Sequence, residues 1–362
     1  METLTPVSDQ RVFQIAWEST LKCNLDCSYC SDGHDNKVEH PSLEDSKRTL
    51  DFIVEYVNLY MRTKAPAHKF ANLNIQGGES IFHPDIIDIL EYARTKKSKY
   101  NDWGLNISLI TNAVIGQRKW HQIADLVDFF TISYHAESLP KQQEMIRTNI
   151  LHLKSINKNF YVAVLMHPKH WNNCVAMVDW CKAHSIKVHP RQIDHPLLDF
   201  RFNYNAEQIE YLTGMPKVPT TTKIISIFKN GIDLSAAGRS CCGGDKLCVD
   251  GVEETQFVKG NRFKGWHCSV NKFFLYIRQT TGEIFTNKDC RMNLDGEVGP
   301  IGYLKRSEEL LKDLEQKINK DSLPDVICKK SSCWCGLCAP KAATKESYNE
   351  IMRKYSNVNA GH

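Results

Sequence analysis

Cys23-Asn24-Leu25-Asp26-Cys27-Ser28-Tyr29-Cys30 sets three cysteines in a CxxxCxxC spacing just beyond an apolar run, Val12 to Trp17. Three thiolates on one tight loop can hold three irons of a cubane cluster. The fourth iron then has no protein ligand and can accept a chelating small molecule, much as a catalytic zinc keeps an open position. This spacing also arises by chance, so a second element has to support it. Gly77-Gly78-Glu79 does so after the next strand: two glycines let a strand end approach a ligand closely, and a glutamate can accept a hydrogen bond from a ligand ammonium group. The bland alternative is a tight strand-to-helix turn carrying a surface glutamate.

The elements that must position these residues repeat. Val12 to Trp17 reads as a buried strand that delivers the cysteine loop, and Ser42 with Asp45 caps a helix whose apolar positions include Leu50, Ile53, Val54 and Val57. Phe70 to Ile75 leads into Gly77, and Leu105 to Ile110 ends at Thr111-Asn112; Val127 to Ser133 ends at Tyr134-His135, Phe160 to Met166 follows, and Ile186 to Ile193 is the sixth strand. Most are followed by an amphipathic helix, which argues for parallel strands covered by helices. Periodicity leaves a barrel and a doubly wound sheet open. The polar residues narrow that choice: the cysteine loop, Gly77 to Glu79, Asn112, Ser133 with His135, and Arg191 with Asp194 all terminate successive strands and so meet on one rim, where parallel α/β folds bind ligands.

After Asp194 the rhythm stops. A Pro-containing passage, a short helix near Glu207 to Leu212 and a Pro-Thr cluster read as bridging structure, with short strands expected at Ile224 to Phe228 and Phe257 to Val258. Phe273 to Arg278, the Thr281-Gly282 turn and Glu283 to Thr286 form a hairpin, and Leu311 to Ile318 a helix.

The chain has 362 residues, enough for a large core, and a formal charge of +4, too small to argue for an extended nucleic-acid surface. No apolar segment resembles a signal peptide or a membrane span, so a soluble cytoplasmic protein without membrane contact is expected. In that reducing compartment its 14 cysteines point to metal ligation, redox chemistry or buried thiols rather than disulfides. Cys174 and Cys181 share a helix face and read as packed thiols.

The cysteine loop, with an aromatic residue before its last cysteine, and the Gly-Gly-Glu turn after the next strand resemble the radical S-adenosylmethionine (radical SAM) family. The resemblance implies a partial (β/α)6 TIM barrel, an α/β fold, over residues 1–215. It implies a 4Fe-4S cluster on Cys23, Cys27 and Cys30, with S-adenosylmethionine (AdoMet) chelating the unique iron. Gly77, Gly78 and Glu79 become AdoMet-binding positions, and Tyr29 lies beside the adenine. Asn112, Ser133 and His135 occupy strand ends where ribose or carboxylate contacts are made, and Arg191 is a partner for the carboxylate; each can equally be an ordinary loop hydrogen-bonder. The implied chemistry is one-electron reductive cleavage of AdoMet to a 5′-deoxyadenosyl radical that abstracts hydrogen, with a flavodoxin- or ferredoxin-like electron donor.

A second field of six thiols comprises Cys268, Cys290, Cys328, Cys333, Cys335 and Cys338. Structural zinc would satisfy this donor set as well as iron and sulfide do. Gly265-Trp266-His267-Cys268, the hairpin, Cys290 and the terminal cysteines resemble the SPASM or shorter twitch extension of radical SAM enzymes. The mid-domain CxxCxxxxxC of a full SPASM extension is absent. The resemblance therefore favours a small cysteine-rich α+β extension at 261–345 with one auxiliary 4Fe-4S cluster on Cys268, Cys290 and two of the last four cysteines. Residues 216–260 form the bridge and 346–362 a tail. Cys241 and Cys242, with Cys248, belong to a metal knuckle, a substrate-contact loop or a catalytic thiol pair, a structural or metal role weighing above the catalytic one.

Family analogy favours a peptide or protein side chain as substrate. A small metabolite, a nucleotide or sugar, or a base in RNA is the competing class, with Arg94, Lys96, Lys97 and Lys99, and separately Lys182, Lys187 and Arg191, as its positive charge. A non-catalytic iron-sulfur scaffold is the third reading.

Overall fold

The computed structural model describes residues 3–4, 12–30, 35–63, 68, 70–99, 103–195, 200–201, 203–214, 247–249, 252–254, 263–288, 291, 293–294, 297–329 and 339–354. Six parallel strands stand side by side in chain order: β1 (Val12–Glu18), β2 (Phe70–Gln76), β3 (Gly104–Thr111), β4 (Phe129–His135), β5 (Asn159–Leu165) and β6 (Val188–Arg191). A doubly wound sheet reverses its strand order part-way. These six never do, so the tie left by periodicity resolves to a partial barrel. Helices α1 (Leu43–Met61), α2 (Ile86–Lys99), α3 (Gln117–Leu126), α4 (Pro140–Ser155) and α5 (Trp171–Ala183) connect consecutive strands, and α6 (Ala206–Gly214) follows.

Alternation along the strands separates two environments. Phe13, Ile15 and Trp17 of β1, Ala71, Leu73 and Ile75 of β2, and Phe130, Ile132 and Tyr134 of β4 join one continuous core with Leu50, Ile53 and Val57 of α1 and Trp120 and Ile123 of α3. Cys174 and Cys181 lie fully buried in it. The opposite face lines the barrel and is polar across β1 to β3, while β4 and β5 add the apolar Phe129, Tyr161 and Ala163. Gln14, Asn72 and Asn106 align across β1, β2 and β3, and the Asn72 amide donates to Gln14 Oε1 at 3.1 Å. One layer up, Asn74 aligns with Ser108, whose hydroxyl reaches Asn74 Oδ1 at 3.3 Å.

Ser42 caps α1, its hydroxyl accepting the Asp45 N–H at 3.1 Å and donating back to the Asp45 carboxylate at 2.6 Å. Such a cap satisfies one of the unpaired N–H groups of the first turn.

The segment expected as a separate extension contributes directly to the barrel sheet. β7 (Phe274–Arg278) pairs in parallel with β1, setting Arg278 opposite Glu18, and returns antiparallel through β8 (Glu283–Phe285) to β9 (Gly302–Tyr303). Leu275, Ile277, Ile284, Leu310 and Leu314 belong to the same core as β1, the last two from helix α7 (Ser307–Asn319). A second, small sheet joins Thr3–Leu4, Lys341–Ala342, His267–Cys268 and Val326–Ile327. Residues expected as a tail begin with a helix, α8 (Lys345–Lys354), because Tyr348, Ile351 and Met352 recur on one side and bury against that sheet. The strands expected at Ile224 to Phe228 and Phe257 to Val258 lie outside the described residues. Among the described residues no helix is long and apolar enough to cross a membrane.

Candidate active site

β1 ends at Glu18 and the chain turns through Thr20 to Lys22 into the cysteine loop. Its backbone is held against the turn after β2: Ser19 N–H donates to Gln76 O at 2.8 Å, Gly78 N–H to Thr20 O at 2.8 Å and Glu79 N–H to Lys22 O at 2.7 Å. The two expected elements therefore share one mouth. The glycines are explained by this contact. A Cβ on Gly77 would sit 2.3 Å from the Thr20 carbonyl oxygen, and one on Gly78 2.3 Å from that of Lys22, while Gly77 also holds φ at +155°. The close approach expected toward a ligand is, in the structure, an approach to the chain's own backbone at the root of the cysteine loop. No side chain fits there.

Glu79 is 2 % exposed. Its Oε1 accepts the Ile81 N–H at 3.2 Å and its Oε2 the Asn112 N–H at 2.6 Å. Burial pushes its carboxyl up to about 7, against the opposing pull of the Asn112, Thr111 and Ile81 hydrogen bonds. A carboxylate offers about four lone-pair sites, and the Asn112, Thr111 and Ile81 bonds take three, so one remains for a cationic donor. Asn112 also reaches the cysteine loop: its amide donates to Asn24 Oδ1 at 2.8 Å, and the Asn24 amide donates to Val114 O at 2.8 Å. These contacts fix the loop to the end of β3.

On the other side the loop is anchored to the end of β4. Ser28 donates its N–H and its hydroxyl to the Glu137 carboxylate at 2.8 and 2.7 Å. Burial acts to raise the Glu137 carboxyl, but the two Ser28 bonds hold it below the ordinary value. Tyr29, between the last two cysteines, is buried, with its hydroxyl 2.8 Å from His135 Nδ1 and its ring stacked on that imidazole at 5.8 Å. The ring thus packs into the barrel wall beneath the loop, with His167 5.5 Å away. Burial pushes the His135 imidazole down to about 4, which keeps it neutral beside the phenol.

Cys23, Cys27 and Cys30 are free thiols, the first two half-buried and the third exposed. Burial pushes Cys23 up to about 11 and Cys27 up to about 12, and the charge of neighbouring thiolates adds to each shift. Three soft donors on one loop are the donor chemistry of three cubane corners, but among the described residues no three His, Cys, Asp or Glu side chains converge closely enough to hold a metal ion.

Ser133 and His135 face the barrel interior at the end of β4, and both are half-buried. Arg191 ends β6, with Nη2 3.2 Å from the Tyr161 hydroxyl and its guanidinium 5.9 Å from that ring. The inner wall also contains a set that sequence reasoning missed. Glu18 accepts the Tyr276 hydroxyl at 2.7 Å and Arg278 Nε at 3.1 Å, binding the strand before the cysteine loop to the C-terminal hairpin. Glu137 and His167 were missed too. Both lie just beyond strand ends, which is the one signal that could have found them. Cys268 and Cys328 are buried on the small sheet; Cys241, Cys242, Cys290, Cys333, Cys335 and Cys338 lie outside the described residues, and Cys248 falls in a short hairpin, Leu247–Val249 with Val252–Glu254. Three basic residues on α2 are engaged: Arg94 and Lys97 pair with Asp128 at 3.0 and 2.8 Å, and Lys96 with Asp51.

Residues 17–188 match the profile of the Radical SAM superfamily. Among solved structures, native anSMEcpe with bound AdoMet superposes with a TM-score of 0.50 at 13% identity, covering 95% of this chain and 96% of that one. The same protein with bound AdoMet and Kp18Cys peptide gives 0.51 at 13% identity, with 95% of each chain covered. Streptococcus suis SuiB bound to precursor peptide SuiA gives 0.45 at 13% identity over 76% of this chain and 59% of that one. At such identities the likeness is one of fold. No curated protein matches the sequence.

Proposed function

The chain belongs to the radical SAM superfamily and is an AdoMet-dependent enzyme, and from that premise we propose that it abstracts hydrogen from a peptide or protein side chain. A 4Fe-4S cluster and AdoMet, when bound, supply one-electron cleavage of the sulfonium to a 5′-deoxyadenosyl radical. This chain's residues do the rest. Cys23, Cys27 and Cys30 hold three irons. Gly77 and Gly78 let the β2 turn lie against the loop root, and Glu79 offers its remaining lone pair to the cofactor's ammonium group. Asn112, Ser133, His135 and Arg191 offer polar contacts along the same rim, and Tyr29 braces the loop from below.

The observation that carries this reading is the bond from Glu79 N–H to Lys22 O at 2.7 Å: it joins the cofactor turn to the residue preceding Cys23, inside one barrel mouth. Water exclusion comes from the barrel wall. The peptide reading draws support from the fold shared with anSMEcpe, which binds a peptide along with AdoMet. The pairing of Arg94, Lys96 and Lys97 with Asp128 and Asp51 on the outer helix leaves less free charge for an RNA backbone. An auxiliary 4Fe-4S cluster on Cys268, Cys290 and two of Cys328, Cys333, Cys335 and Cys338 completes the proposed cofactor set, with a flavodoxin- or ferredoxin-like donor supplying electrons.

The test is deuterium transfer. The reconstituted, reduced enzyme is incubated with AdoMet and either uniformly deuterated peptide pools or deuterated metabolite and nucleotide pools. Label in 5′-deoxyadenosine from the peptide pool alone supports this function, and label from the second pool alone replaces it with the competing class.

A further inference from the structure

The far wall of the barrel ends in a cation. Val162 and Val164 of β5 face the helices and join the main core, whereas Phe129, Tyr161 and Ala163 form a separate buried cluster on the barrel side. The Tyr161 ring lies 5.9 Å from that of Phe129 and meets His189 edge to face at 4.8 Å. His189 stands opposite Ala163 and Arg191 opposite Leu165, so the pleat puts both on the barrel side. Leu165 in turn stands opposite His135. One row thus runs across β4, β5 and β6 from His135, which bonds Tyr29 of the cysteine loop at 2.8 Å, to Arg191.

Arg191 is half-buried, and its carbonyl accepts the Met166 N–H at 2.8 Å, which fixes its backbone. Its guanidinium lies 5.9 Å from the Tyr161 ring and donates from Nη2 to the Tyr161 hydroxyl at 3.2 Å. A guanidinium carries five N–H donors, so most of its capacity is left. Arg278, on the other flank of β1, faces Glu18 and Glu283 at 3.1 and 3.6 Å. Arg191 pairs with no carboxylate among the described residues. A planar fork of donors suits a carboxylate in a two-bond geometry, and the buried apolar cluster beneath it strengthens such a pair by lowering the local dielectric.

We propose that Arg191 holds a carboxylate of the peptide substrate and not that of AdoMet, which makes it a specificity-determining residue. This rests on the peptide reading given above. The ammonium and carboxylate of AdoMet share one carbon, and the ammonium belongs at Glu79 on the turn after β2. Four strand spacings of about 4.8 Å separate β2 from β6 along the sheet, and Arg191 lies back on its own wall. A peptide carboxylate held there sits two spacings, about 10 Å along the sheet, from the His135 side of the mouth. That leaves room for the reacting side chain between the two.

The experiment follows deuterium into 5′-deoxyadenosine from three random peptide libraries built from deuterated amino acids. The first has free C-termini and lacks Asp and Glu, the second has amidated C-termini and contains both acids, and the third is amidated and lacks both. The parent is expected to take label from the first or the second roughly tenfold or more faster than from the third, the loss expected for one charge-assisted bond. The better of those two identifies the carboxylate as terminal or side-chain. Arg191→Gln should cut that transfer to a similar extent at low peptide concentration and Arg191→Lys should cut it less, while calorimetric AdoMet affinity without peptide matches the parent in both. The library comparison uses the parent alone, so it decides the matter even where a variant fails to fold. Equal label from all three libraries, undiminished transfer by Arg191→Gln, or a parallel loss of AdoMet affinity would overturn the proposal while leaving the peptide reading in place. 5′-Deoxyadenosine formed without label from any library would refute the peptide reading itself, and the role of Arg191 with it.

Discussion

Glu79 Oε2 accepts the Asn112 N–H at 2.6 Å, so the carboxylate that follows the glycine pair also closes the gap between the ends of β2 and β3. One side chain thereby braces the cofactor turn and presents charge to it. Glu79→Gln removes the charge and, when its amide nitrogen faces Asn112, sets donor against donor. A charge-assisted hydrogen bond is worth about 1.5–3 kcal/mol. AdoMet affinity is expected to fall roughly ten- to hundredfold with the three-cysteine cluster retained, as measured by calorimetry on the anaerobic protein.

The same carboxyl makes stability depend on pH. Its pKa rises from an ordinary 4.5 to about 7 in the folded chain, so between those values the folded state binds more protons than the unfolded one. Stability attributable to Glu79 is therefore greatest at low pH, falls as pH rises from 4.5 to 7 and then levels off. At 1.36 kcal/mol per unit the full change is about 3 kcal/mol. Denaturant melts of the apo chain should show this slope, and Glu79→Gln should flatten it.

Gly78→Ala tests the close packing at the loop root. Its Cβ would meet the Lys22 and Leu21 carbonyl oxygens at 2.3 and 2.5 Å, so backbone has to move. The expected cost is about 1–3 kcal/mol, accompanied by loss of iron from the three-cysteine site. Gly116→Ala is the control, because its Cβ meets nothing within 4 Å. Thermal melts and iron analysis of both variants make the comparison.

Six strands were legible in the sequence because their helix-facing residues, such as Ile15, Ile75 and Ile132, are apolar and recur in alternation. Their C-terminal ends were legible as a rim because polar residues such as Asn112 and His135 follow each run. The seventh strand's place beside β1 was not legible: Arg278 and Glu18 are 260 residues apart in the chain, and no local pattern records a pairing that distant in sequence. Gly77 and Gly78 announced a close approach but not its partner, which proved to be the backbone of residues 20–22. Glu137 and Ser28 belong to no spaced motif, so their bond appears only once β4 brings them together.

Glu137→Ala tests that bond. It removes both Ser28 contacts, at 2.8 and 2.7 Å, from a partly exposed carboxylate, at a cost of about 1–2 kcal/mol. The cysteine loop should then lose iron on gel filtration faster than the parent. The small sheet that carries Cys268 and Cys328 should keep its stability unchanged.

In the proposed reaction three thiols and the glycine-glutamate turn form one AdoMet-cleaving mouth. Its most direct measurement is chromatographic quantification of 5′-deoxyadenosine and methionine after anaerobic reduction of the reconstituted chain with AdoMet. Both products are expected from the parent and neither from the chain with Cys23, Cys27 and Cys30 replaced by alanine. An intact cluster that yields no 5′-deoxyadenosine, or undiminished product from the triple variant, would contradict it.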